Sequence, residues 1–111
     1  MRINVKRHNN GSIQVCMDGQ LMPEDCERLT IVCTNLIARG ARSLILDMSE
    51  VTYIGATGMN SLLHLYQQAR RRGGQLCLRK IPDRFERVFK LSPMARFLPA
   101  SEAEPSRSGE N

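Results

Sequence analysis

At 111 residues the chain is a single domain's worth of sequence, long enough to bury a core without metal or disulfide staples. Hydrophobic residues at 41% and charged residues at 24% are ordinary for a globular protein, while the absence of Trp and an aromatic share of 5% argue against a large aromatic ligand box. The formal net charge of +5 permits an acidic partner without requiring one.

The N-terminus, Met-Arg-Ile-Asn-Val-Lys-Arg, has neither the apolar core nor the small-residue cleavage site of a signal peptide. No stretch approaches the ~20 apolar residues needed to cross a bilayer. These features predict a cytoplasmic protein without membrane insertion.

Ile3 and Val5 share one face of a strand, Asn9-Asn10-Gly11 is a turn signal, and Ile13, Val15 and Met17 share a face of a second strand. The pair predicts a hairpin ending at Asp18-Gly19. Pro23, followed by Glu24 and Asp25, opens a helix in which Cys26, Leu29, Cys33, Leu36 and Ile37 follow helical spacing and Gly40 marks the stop. Ser43 to Met48 is a short apolar run, as expected of a strand covered on both faces. A loop through Tyr53-Ile54-Gly55-Ala56 leads to a second helix, with Thr57 as its expected N-cap and Met59, Leu62, Leu63, Tyr66 and Ala69 as its apolar stripe. Arg70-Arg71-Arg72-Gly73-Gly74 ends that helix, and Leu76-Cys77-Leu78 forms another strand.

Pro82 opens a third helix with Phe85, Val88 and Phe89 inward, and Ser92-Pro93 interrupts it before an apolar turn at Met94, Phe97 and Leu98. The stretch Pro99 to Asn111 is almost devoid of apolar residues and is expected to be a disordered tail. The order of elements predicts an α/β sandwich with a mixed β-sheet in one domain, residues 1–98.

The chemistry-bearing residues are sparse. Cys16, Cys26, Cys33 and Cys77 form no Cys-x-x-Cys pair and His8 and His64 stand apart, so the thiols read as small hydrophobes and no metal site is expected. There is no Gly-rich phosphate loop followed by Lys and no Ser-His-Asp elbow, and Asp47, at a strand end where it could face Glu50 or Thr52, reads as a turn or cap residue. Neither an enzyme nor a cofactor is expected. The basic residues Arg70, Arg71, Arg72, Arg79, Lys80, Arg84, Arg87 and Lys90 lack interleaved aromatics, so they read as solvated surface and not as a nucleic-acid interface.

The loop before the second helix is the informative place. Gly55 and Gly58 flank Thr57, allowing close approach of another protein, and a helix start tolerates added negative charge because its free N–H groups and dipole point outward. A phosphoryl group there would add ~1.5–2 negative charges and could remake a docking surface.

From Ile3 to Leu98 the chain resembles the STAS domains, the family of bacterial anti-sigma factor antagonists and of sulphate-transporter cytoplasmic tails. Leu44-Ile45-Leu46-Asp47-Met48 through Gly55-Ala56-Thr57-Gly58-Met59 is similar to the family's apolar strand ending in Asp, followed by Asp-Ser-Ser-Gly-Leu opening a helix. Gln67 to Leu78, Val88 to Phe97 and Asp18-Gly19-Gln20-Leu21 resemble further family segments.

The resemblance implies a non-enzymatic anti-sigma factor antagonist that works by partner switching. Its partner would be an anti-sigma factor with a kinase-type ATP-binding domain, with a phosphatase as a further partner, and the protein would be a monomer or weak dimer. It also implies a contact surface drawn from Leu21, Met22, Gly55, Ala56, Thr57, Gly58, Met59 and Asn60. The family's phosphorylated Ser corresponds to Ala56, which cannot accept phosphate, and the Asp before it to Gly55. The switch has therefore either moved to Thr57 or been lost. The alternative implied role is a STAS subunit of an ABC-type lipid transport complex docked on its ATPase.

Overall fold

A computed structural model describes residues 1–91. Strand β1 (Arg2–Arg7) pairs antiparallel with β2 (Ile13–Leu21), which pairs parallel with β3 (Ser43–Ile54), itself parallel to β4 (Gln75–Arg79). The sheet is four-stranded and mixed, in the order β1-β2-β3-β4. Helix α1 (Pro23–Ala38) connects β2 to β3, α2 (Ala56–Arg71) connects β3 to β4, and α3 (Asp83–Leu91) follows β4.

The register explains the core. Ile13, Leu44 and Leu76 form one cross-strand row, and Val15, Leu46 and Leu78 the next, all buried. Onto these rows α1 lays Cys26, Leu29, Cys33, Leu36 and Ile37, while α2 lays Leu62, Leu65 and Ala69. Neighbouring positions on these strands point the other way, as strand geometry requires, and Gln14, Cys16, Ile45 and Cys77 there are only half-buried. The expected covering of β3 on both faces is therefore corrected among the described residues.

Strands β2 and β3 run further than their apolar residues suggest. The pairing continues past Cys16 and Asp47 through Asp18↔Glu50, Gly19↔Val51, Gln20↔Tyr53 and Leu21↔Ile54, with register shifts between Cys16 and Asp18 and between Gly19 and Gln20. Gly19 sits at φ 114°, a backbone angle only Gly adopts readily, so the strand can bulge there without ending. Main-chain hydrogen bonding to a neighbour thus carries the polar stretch Ser49–Thr52, which periodicity assigned to a loop.

At α1, Pro23 takes the first helical position and the buried Asp25 carboxylate accepts a 3.1 Å hydrogen bond from the Met22 backbone N–H. Helix α2 differs from expectation in two ways. Its N-cap is Gly55, so Thr57 lies inside the first turn, and Leu65 joins the buried stripe while Met59, Leu63 and Tyr66 are half-buried. In α3 Phe89 is buried and Phe85 half-buried, but Val88 points outward at 52% exposure. The apolar turn expected at Met94, Phe97 and Leu98 and the expected tail lie outside the described residues.

Because Leu46 is fully buried between Val15 and Leu78 at the centre of its row, Leu46→Ala should cost about 2–5 kcal/mol. A urea titration should show this as a lower midpoint at unchanged slope.

Candidate functional site

The site is built where β2 and β3 end side by side. Leu21 and Ile54 pair across the two strands, so the next residues, Met22 and Gly55, leave the sheet together and start α1 and α2. At α2 the first intrahelical bond runs from the Met59 N–H to the Gly55 carbonyl at 3.0 Å, no side chain caps the start, and no acid lies in the first turn. The earlier N–H groups of the turn therefore present an uncompensated positive dipole end. Ala56 and Thr57 occupy the first two helical positions, both exposed, with Asn60 exposed one turn on.

Two expected contact residues turn out to be foundations. Leu21 is buried, and Gly58 is buried against it: a Cβ at position 58 would come 3.0 Å from Leu21 Cδ2 and 3.1 Å from Ile54 Cγ2. Gly58 serves close approach of α2 to the strand ends, not approach of a partner. Met59 is half-buried against the core, whereas Met22 is 37% exposed.

Tyr53, which the sequence reading left out of the contact set, joins the surface. It is 48% exposed, and a Cβ at Gly55 would meet its hydroxyl oxygen at 2.8 Å, so the ring occupies the space in which a side chain at 55 would begin. The available signal was an aromatic in a polar strand end, two residues before the glycine. The exposed surface is thus Met22, Tyr53, Ala56, Thr57 and Asn60, with Gly55 between them.

A second polar cluster lies further back along β3. Asp47 Oδ1 accepts hydrogen bonds from the Ser49 backbone N–H (3.0 Å) and hydroxyl (2.7 Å), and Oδ2 accepts one from Gln14 Nε2 (2.9 Å). Lys80 Nζ stands 3.9 Å away, and His8 Nε2 is 2.9 Å from Gln14 Oε1. The position of Asp47 pairs with Cys16 and Arg79 across the sheet, and its hydrogen bonds go to Ser49 and Gln14, not to Glu50 or Thr52. Asp47, Gln14, His8 and Lys80 border a cavity of about 560 Å³ that offers a single carboxylate and so no carboxylate pair.

Residues 3–106 match the STAS domain family model. The chain belongs to the STAS domain family. Among its relatives, BtrV of Bordetella bronchiseptica is 24% identical over 92 residues, spanning 83% of this chain and 79% of its own. The anti-sigma-B factor antagonist of Listeria monocytogenes is 20% identical over 109 residues, spanning 98% of this chain and 96% of its own. Among solved structures, the sulfate transporter family protein of Wolinella succinogenes superposes with a TM-score of 0.75 at 25% identity, over 87% of this chain and 79% of its own. The mixed four-stranded sheet with three helices is the STAS fold.

Within this STAS domain no helix of the described residues is long and apolar enough to cross a membrane. The same residues hold no cluster of three His, Cys, Asp or Glu side chains that could bind a metal. None of the four cysteines forms a disulfide, Cys26 and Cys33 are buried, and burial pushes the Cys33 thiol up to about 12. Cys33 therefore stays protonated and unreactive at neutral pH. Alkylation of the native protein should label the half-buried Cys16 and Cys77 first, with Cys33 reacting only on unfolding, as peptide mass mapping would record.

For Asp47, burial alone would raise the pKa, but the Ser49 hydrogen bonds, the Lys80 charge and the Gln14 hydrogen bond together outweigh it and leave the carboxyl below its ordinary value. A depressed folded-state pKa stabilises the fold above the unfolded value, about 3.9, and that stability is lost as pH falls below it. Asp47→Asn should therefore flatten the decline of thermal stability below about pH 4. An unchanged acid limb in a pH series of melting curves would remove Asp47 as its source.

Proposed function

We propose that this STAS protein is a non-enzymatic regulator, an anti-sigma factor antagonist that binds its target through the start of α2 and the adjoining strand ends. The observation that carries the reading is the surface itself: Met22, Tyr53, Ala56, Thr57 and Asn60 are exposed together over a rigid base of Leu21, Ile54 and Gly58. Met supplies an adaptable apolar contact and Tyr a large amphipathic one, the kinds of side chain that anchor protein interfaces. The name of the Listeria relative supports the antagonist role.

The partner in this reading is an anti-sigma factor with a kinase-type ATP-binding domain. Holding that partner frees the sigma factor or other target by mass action, since one surface cannot serve two proteins at once. Regulation follows from the first turn of α2. Ala56 has no hydroxyl where the family resemblance places the phosphorylated Ser, leaving Thr57 as the acceptor or the switch lost. A phosphate on Thr57 would sit at the positive end of the helix, so it would change the interface without melting the domain. A phosphatase would then reverse it.

The likeness to a sulfate transporter family protein favours a second reading, in which the same surface docks on a transport complex. In its specific form this is a STAS subunit on the ATPase of an ABC-type lipid transporter.

Pull-down from the host lysate, with mass-spectrometric identification, separates the two. Recovery of a kinase-type anti-sigma factor is expected, and recovery of transporter subunits would replace the first reading with the second. With the recovered partner, Thr57→Glu should weaken binding by about tenfold or more in titration calorimetry. Unchanged affinity would show that the docking face lies elsewhere. Incubation with partner and ATP should place phosphate on Ala56→Ser, and phosphate on the parent chain confined to Thr57 would identify the moved acceptor.

A further inference from the structure

The charge on this molecule is sorted along the strand direction. The end opposite the docking surface includes, beside the β1–β2 turn, the α1–β3 connection and the end of α2, and these two contribute Arg39, Arg42, Arg70, Arg71 and Arg72. The segments 39–42 and 70–74 contain no acid. They are held together by structure: the Gln75 N–H donates to the Arg42 carbonyl at 2.7 Å, and Gly74 approaches so closely that a Cβ there would lie 2.9 Å from the same oxygen. Thr34 and Gln68, 3.4 Å apart, tie α1 to α2 just inside that end. All five arginines are exposed, and none takes part in an ion pair among the described residues. Arg70 lies over the Tyr66 ring, 5.9 Å from its centroid.

We propose that this arginine pole adsorbs the protein onto an anionic phospholipid surface. The guanidinium groups match lipid phosphate oxygens in fork geometry, and clusters of four to eight basic residues suffice for such binding. Two features favour a membrane over other anionic partners. None of the exposed large hydrophobics Val5, Met22, Ile31, Tyr53, Val88 and Leu91 belongs to these segments, so the segments themselves supply no apolar anchor of a protein interface. The arginines also sit on helix ends and a connection, not along a helix or ribbon that could enter a DNA groove, and the segments 39–42 and 70–74 contain no aromatic for base stacking. A lipid surface needs only charge and no matched shape. The sixteen residues of α2 put the docking surface ~24 Å away at the opposite end, so adsorption leaves it free.

The test is co-sedimentation of the full chain with vesicles of phosphatidylglycerol and phosphatidylcholine in about equal parts, beside vesicles of phosphatidylcholine alone. Binding is expected only to the anionic vesicles and should vanish as salt is raised. Arg71→Glu/Arg72→Glu should lower the partition coefficient by about tenfold or more, while Arg87→Glu on α3 changes it little. Circular dichroism should show both variants folded, since all three side chains are exposed. Absence of binding at low salt would overturn the proposal, as would equal binding of the double variant. Displacement from the vesicles by a lower concentration of duplex DNA than of free phosphatidylglycerol micelles would overturn it in favour of nucleic acid.

Discussion

The full-length parallel pairing of β2 with β3 is the constraint on which the rest of the structure depends. Its first half aligns Ile13 with Leu44 and Val15 with Leu46, building the rows against which both helices are buried. Its second half is polar, bulged and held by main-chain hydrogen bonds, yet it brings Leu21 beside Ile54. Only because those two residues are adjacent do α1 and α2 start next to each other. Gly58 completes the arrangement by letting α2 settle on both side chains, at distances no larger residue would tolerate without displacement.

That arrangement explains how a small domain can present a defined surface. The exposed residues at the start of α2 rest on buried ones, so the surface is set by packing and not by loop conformation. Tyr53 fills the space above Gly55, which makes the face more apolar than a carboxylate at that position would. The unopposed dipole end of α2 keeps the same place receptive to negative charge, from a phosphate or from an acidic side chain of a partner.

The two ends of the molecule differ in kind. One carries Met22, Tyr53 and Thr57, suited to a shaped protein contact, and the other carries the five arginines. Between them Asp47 is held ionised by Ser49, Gln14 and Lys80, a structural carboxylate whose oxygens are occupied by neighbours. A STAS domain held on a membrane by one end and open at the other would search a surface instead of a volume.

Much of this was legible in the residues. The helical spacing of Cys26, Leu29, Cys33, Leu36 and Ile37, the Pro23 start, and the apolar runs around Val15, Leu46 and Leu78 determined the elements and their order, because burial imposes its period locally. The motif from Leu44 to Met59 determined the family. The sequence could not show where β3 ends, since Ser49 to Thr52 carries no strand periodicity and is held by hydrogen bonds to a strand thirty residues earlier. Nor could it show that Leu21 and Gly58 lie beneath the contact face, that Gly55 and not Thr57 caps α2, or that Tyr53 covers Gly55. Each of these depends on which atoms meet across the sheet. Local pattern determined what buries; only the tertiary structure decided what lies next to it.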